Sequence, residues 1–258
     1  LGQADRDIIL GDNGIAHFDS DTGVLRSIRT LADHIGDTDT IHAAYDFDII
    51  FGGQAGDVIW AFQENDDDDY RDIVLGDSGE ALFDENEILE SVTTSSPNEG
   101  GDDDILVGDG PDIVVGGYGS DFINVDRTDN SVLSVDDGRD VIIGDSGRVV
   151  FHAASLNVSH IQTLAPEIGG VDRIYTDNGS DIILAGQADD WILAYNRTDD
   201  QADANGNGDR DIVVGDNGYA SFDSAEVITV IESTDTDIGG NDQIFVGNGP
   251  DIVLGGYG

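Results

Sequence analysis

Four stretches of the chain are near copies of one another. They read RDIILGDNG from Arg6, RDIVLGDSG from Arg71, RDVIIGDSG from Arg139 and RDIVVGDNG from Arg210, at intervals of 65, 68 and 71 residues. Self-similarity at a fixed long period means that one structural unit is built several times and that neighbouring units bury each other's faces. The copies also continue alike. A segment ending in Phe18, Phe83, Phe151 or Phe222 is followed by a turn-like patch. A β-branched run comes next, VLRSIRTL, ILESVTT, LNVSHIQTL or VITVIEST. Aromatic end, turn and β-rich run together predict a hairpin in each copy. The units are 1–65, 66–133, 134–204 and 205–258, the last stopping at GGYG just short of an expected further unit. The chain is therefore read as a piece of a longer array, or as a subunit completed elsewhere.

After each hairpin comes a nine-residue rhythm of aspartates. It places Asp39, Asp48 and Asp57 in the first copy, Asp103, Asp112 and Asp121 in the second, Asp172, Asp181 and Asp190 in the third, and Asp242 and Asp251 in the fourth. Each is followed by a short apolar triplet and a glycine cluster. Gly-Asp clusters are also ordinary turn-formers, but eleven aspartates in register ask for a chemical role.

Composition narrows that role. Of 258 residues, 55 are acidic and 10 basic, all of the latter Arg, for a net charge of −45. Such a surface repels nucleic-acid phosphates and anionic lipid and attracts cations. The 38% of apolar residues, gathered in short β-branched clusters, support a folded chain despite that charge. There is no Cys, so no disulfide or thiol chemistry is available, and no apolar run long enough to span a membrane is present.

GGYGSDFIN (Gly116 to Asn124) fits the pattern G-G-x-G-x-D-x-U-x, with U a large apolar residue. GGQAGDVIW and AGQADDWIL are close variants. In this pattern the chain resembles the RTX, or haemolysin-type, calcium-binding repeats, for which this nonapeptide is the established signature. The hairpin segments depart from an uninterrupted array of that kind. The resemblance implies an all-β, calcium-stabilised parallel β-roll or β-solenoid with hairpin insertions, in four repeats of about 65–71 residues. Two nonapeptides make one coil, so residues 18 apart stack, pairing Asp39 with Asp57, Asp103 with Asp121 and Asp172 with Asp190. Strands so stacked lie about 4.8 Å apart. Two carboxylates at that separation repel by roughly 3–4 kcal/mol at an effective dielectric of 20. A Ca2+ ion between them reverses the sign, taking six to eight oxygens from carboxylates and main-chain carbonyls.

The same carry-over makes Asp7, Asp72, Asp140 and Asp211 of the RD signature candidate ligands. Asp12, Asp77, Asp145 and Asp216, in GDNG or GDSG, are divided between ligand and turn-former. DANGNG (Asp203 to Gly208) matches the first half of an EF-hand loop, but position twelve is Val214 where Glu is required. That leaves a separate loop-bound calcium as the alternative there. The acidic stretches around it and around QENDDDDY read as solvent-facing loops.

Strand triplets apolar at both flanks, such as Ile73 and Leu75 or Ile182 and Leu184, predict burial on both faces. The cover is either the hairpins, through residues such as Val24, Leu25 and Ile28, or a neighbouring chain. No catalytic constellation is found. GDSG around Ser78 and Ser146 has Asn13 and Asn217 in the other copies, and the five histidines form no zinc pattern. The expectation is a non-enzymatic, calcium-binding, extracellular structural array from a bacterial fibre, surface layer or adhesin stalk. It would associate with itself or continue into further repeats. The alternative is the calcium-triggered folding and secretion module of a larger toxin or secreted enzyme.

Overall fold

The computed structural model describes residues 6–32, 34–43, 46–62, 70–125, 127, 138–195 and 209–258. Among them every regular element is a β-strand, and the strands form three sheets.

Eight short strands form the first parallel sheet. In spatial order they are β1 (Ile8–Leu10), β5 (Ile49–Gly53), β7 (Ile73–Asp77), β11 (Ile113–Gly117), β13 (Val141–Asp145), β17 (Ile182–Leu184), β19 (Ile212–Val214) and β23 (Ile252–Leu254). Seven more form the second: β4 (Thr40–Ala43), β6 (Val58–Ala61), β10 (Asp104–Val107), β12 (Phe122–Ile123), β16 (Arg173–Thr176), β18 (Trp191–Ala194) and β22 (Gln243–Val246). The chain alternates between the two sheets, so each strand pairs with its equivalent one coil along. For example, Asp104 of β10 stands between Val58 and Phe122.

After every second strand of the first sheet the chain leaves for a hairpin. The hairpins are β2 (Gly14–Phe18) with β3 (Leu25–Thr30), β8 (Gly79–Phe83) with β9 (Leu89–Thr94), β14 (Gly147–Phe151) with β15 (Val158–Thr163), and β20 (Gly218–Phe222) with β21 (Ile228–Ser233). They join edge to edge as one antiparallel sheet. Thr30, Thr94 and Thr163 fasten the joins, their hydroxyls accepting from the N–H groups of Gly79, Gly147 and Gly218 at 3.0–3.1 Å.

The alternating side-chain directions of a strand explain the layering. Middle residues of the first sheet (Ile50, Val74, Val114, Ile142, Ile183, Val213) face the second sheet, packing on Ile59, Ile105, Ile123, Ile174 and Ile192. The flanking residues (Ile73 and Leu75, Ile182 and Leu184) face the hairpins and pack on Leu89, Val92, Phe151, Ile161 and Phe222. The first sheet is thus buried on both faces, and its outer cover is the chain's own hairpins. Burying one such side chain contributes about 1.5–3 kcal/mol, so each repeat carries a sizeable share of the core.

The signature arginine of one repeat reaches the hairpin of the next. Arg6 donates to the Glu87 carbonyl and sits 5.3 Å from the centre of the Phe83 ring. Arg71 donates to the Pro111 carbonyl at 2.8 Å and to that of Leu156. Arg139 lies 5.4 Å from the Phe222 ring centre and 3.6 Å from the Glu226 carboxylate.

Candidate metal-binding columns

Each parallel strand is preceded by one of the predicted aspartates, and stacking the strands stacks the aspartates into two columns. Before the second sheet run Asp39, Asp57, Asp103, Asp121, Asp172, Asp190 and Asp242. The N–H of each donates to Oδ1 of the next, at 2.7–3.0 Å. Before the first sheet run Asp7, Asp48, Asp72, Asp112, Asp140, Asp181, Asp211 and Asp251, joined in the same way. The pairs expected at 18-residue spacing are adjacent rungs. The structure also joins rungs across the hairpin excursions, as from Asp57 to Asp103.

In the Asp39–Asp242 column one carboxylate oxygen closes the backbone and the other is left over. Oδ2 of Asp57, Asp103, Asp121, Asp172, Asp190 and Asp242 is buried without a hydrogen-bond partner. A buried carboxylate oxygen with no donor costs several kcal/mol unless a cation or a proton supplies the missing charge. The glycine turns that end the strands of the first sheet run beside these oxygens. A methyl group added at Gly52 would stand 2.6 Å from Asp57 Oδ2 and collide with the Gly76 carbonyl. One at Gly76, Gly116 or Gly144 would meet an Oδ2 and the next turn's carbonyl likewise. Glycine therefore leaves carboxylate and carbonyl oxygens of successive turns facing a common space. The third copy departs with Ala185, whose methyl joins the core between the parallel sheets. Among the described residues no three His, Asp or Glu side chains converge on one point, so a cation held here takes the balance of its oxygens from the main chain.

Burial, ahead of repulsion between neighbours, pushes these carboxyls upward. Asp190 rises to about 9, Asp57 and Asp121 to about 7, Asp242 to about 6, and Asp103 and Asp172 go well above the carboxylate range. In the other column Asp211 rises to about 7, again chiefly by burial.

Asp12, Asp77, Asp145 and Asp216 stand outside both columns. They replace the second glycine of a G-G turn wherever the chain departs for a hairpin. Gly53, Gly117 and Gly186 hold φ near +115 to +118° at that position and fold straight back, a conformation aspartate rarely adopts. Asp77 instead accepts from the N–H of Gly101, where the chain returns from its hairpin, and from that of Tyr118 in the next turn. Asp145 does so with Gly170 and Gln187, and Asp216 with Gly240 and Tyr257. Asp12 holds Gln54 N–H at 2.7 Å. These aspartates brace the gaps that the insertions leave. Ser78 and Ser146 are buried at the hairpin entrances, where their carbonyls accept from Ser95 and Leu164. Asp203 to Gly208 lies outside the described residues, as do 63–69 of the other acidic stretch.

Compared with protein-family models, curated proteins and solved structures, the chain gives no significant match.

Proposed function

We propose that the two parallel sheets are the flanks of one calcium-stabilised β-roll, and that the chain is a calcium-rigidified structural array of an extracellular fibre, surface layer or adhesin stalk. One observation carries this reading: a column of buried aspartates whose second oxygens have no donor and face the main-chain carbonyls of glycine turns. That donor set is all oxygen, main chain and carboxylate mixed, which suits a hard cation of flexible coordination. Oδ2 of Asp57, Asp103, Asp121, Asp172 and Asp242 would hold the ions with carbonyls such as those of Gly76 and Gly116. Asp39 and Asp190 would close the column. Resemblance to the RTX repeats alone would add the second column as a further, weaker ligand set, and the reading rests on the first. Calcium supplies the positive charge that a chain of net charge −45 lacks. Ions bound only by the folded state stabilise it by mass action, about 2.7 kcal/mol per site at a hundredfold excess over the dissociation constant. Outside cells calcium is abundant enough to keep even sites of 10⁻⁴–10⁻³ M, on the order of those in extracellular modules, occupied.

Far-UV circular dichroism during a calcium titration of the EDTA-stripped chain tests this, with magnesium as control. A cooperative gain of β signal with calcium alone is expected. A folded spectrum indifferent to calcium would remove the proposal.

A further inference from the structure

The four repeats alternate between two kinds. The turns of the first and third hairpins have six residues (19–24 and 152–157), and those of the second and fourth have five (84–88 and 223–227). Four residues after the hairpin phenylalanine stand Thr22 and Ser155 in the first and third copies, and Glu87 and Glu226 in the second and fourth. The alternation continues outside the hairpins. The glycine turns carry Gln54 and Gln187 against Tyr118 and Tyr257, and Phe47 and Ser180 stand where the other two copies have Pro111 and Pro250. The sequence therefore has a second period, two repeats long.

That period decides how the hairpins are joined. Glu87 reaches back to accept from the Leu25 N–H at 2.9 Å, and Glu226 from the Val158 N–H at 2.8 Å. Each glutamate clamps its hairpin to the one before it, the second to the first and the fourth to the third. The third hairpin has no such clamp on the second. Its Ser155 hydroxyl stays within its own turn, and among the described residues no carboxylate accepts from Leu89, the equivalent of Leu25 and Val158. A cavity of about 290 Å³ opens there, bordered by Leu82, Ile88, Leu89, Val150, His152 and Ala154. The facing strands differ too. The ladder sets Arg29 opposite Glu80 at the first junction and Gln162 opposite Tyr219 at the third. At the middle junction it sets Arg148 opposite Thr93, and Arg148 Nε is buried with no acceptor. The middle junction keeps its threonine fastening, from Gly147 N–H to Thr94, and the bond from Arg71 to the Leu156 carbonyl.

We propose that the middle seam is a joint. The hairpin layer moves as two blocks, one from repeats 1 and 2 and the other from repeats 3 and 4, and it parts first between β9 and β14 when the array bends. Local opening begins where the least packing and bonding hold two elements together. A cavity removes packing at the seam, and a buried donor without an acceptor favours the open state. Both parallel sheets run on beneath it, β11 pairing with β13 and β12 with β16, so the core stays joined while the seam opens. The inference rests on the structural-array reading, to which it adds a point of flexure at every second repeat.

The test is native-state amide hydrogen exchange of the full calcium-loaded chain, read by nuclear magnetic resonance. Ser91 and Val150, paired across the middle seam, are compared with Ser27 and Leu82 at the first junction and His160 and Ser221 at the third. Protection at the middle pair is expected to be lower by about tenfold or more. Glu87→Ala should lower protection of Ser27 and Leu82 by about tenfold or more and leave His160 and Ser221 unchanged. Equal protection at the three junctions, or no loss at the first in Glu87→Ala, would overturn the proposal. The junctions are compared within one sample, so a fold indifferent to calcium would remove the array reading while the seam is still decided by its own contrast.

Discussion

The two aspartate columns share one hydrogen-bonded ladder and differ in what surrounds it. Along the Asp7–Asp251 column, every second aspartate directly follows a signature arginine, and Arg139 feels the charge of Asp181. Four of the chain's ten basic residues are spent there. The Asp39–Asp242 column has no arginine repeated in register before its aspartates, though Arg127 acts on Asp121 and Arg173 follows Asp172. It has glycine turns whose carbonyls face the orphaned Oδ2 atoms. One column carries arginines in its own sequence register, while the other, on the proposed reading, takes its cations from solution.

The largest effect should come from removing calcium. Each ion lost at a hundredfold excess costs about 2.7 kcal/mol, worth about 5–10 °C of melting temperature in a chain of this size. Scanning calorimetry with and without EDTA should show several such increments, and a shift within error would refute the contrast between the columns. Next in size is Asp77→Ala, which strands two part-buried backbone N–H groups and should cost about 1–3 kcal/mol. Denaturant melts should show that loss both with calcium and in EDTA, since the brace acts on the backbone in either state.

A matched pair of variants sharpens the comparison itself. Asp103→Asn should weaken calcium binding about tenfold or more, as loss of a charged ligand does. Asp112→Asn should leave it within about threefold, since an amide oxygen still accepts the ladder bond from Asp72. Calorimetric titration yielding equal losses would mean that both columns bind ions.

The pH response separates the same states. Carboxyls raised to between about 6 and 9 by burial, in Asp57, Asp121, Asp190, Asp211 and Asp242, bind more protons folded than unfolded. Their contribution to metal-free stability is complete below the ordinary carboxylate value. It is lost as pH rises through the raised ones. Without calcium, stability should therefore fall between about pH 4 and 9. With calcium bound the slope should reverse, because protons displace the ion. Melts in both buffers should give curves of opposite slope.

The smallest effect is expected from Arg139→Gln, about 1 kcal/mol or less, because the Arg139–Glu226 pair is only partly buried.

Much of this was legible in the sequence because it repeats locally. The nine-residue rhythm gave the stacked pairs Asp39 with Asp57 and Asp103 with Asp121, and the doubly apolar triplets demanded a cover. What covers them was not legible, since Thr30 must find Gly79 and Thr94 must find Gly147 across about fifty residues. The continuity from Asp57 to Asp103 was hidden by the intervening hairpin, and the bracing role of Asp77 by partners 24 and 41 residues away. The arginine contacts had a visible signal, an Arg in register in all four copies. Their target, the next repeat's hairpin, exists only in three dimensions.

A crystal structure of the chain grown in calcium would test the central claim most directly. Anomalous density is expected between Oδ2 of Asp103 and the Gly116 carbonyl, and at the equivalent places along the column. Water or a protonated, hydrogen-bonded carboxyl there, with no ion on any rung, would contradict it.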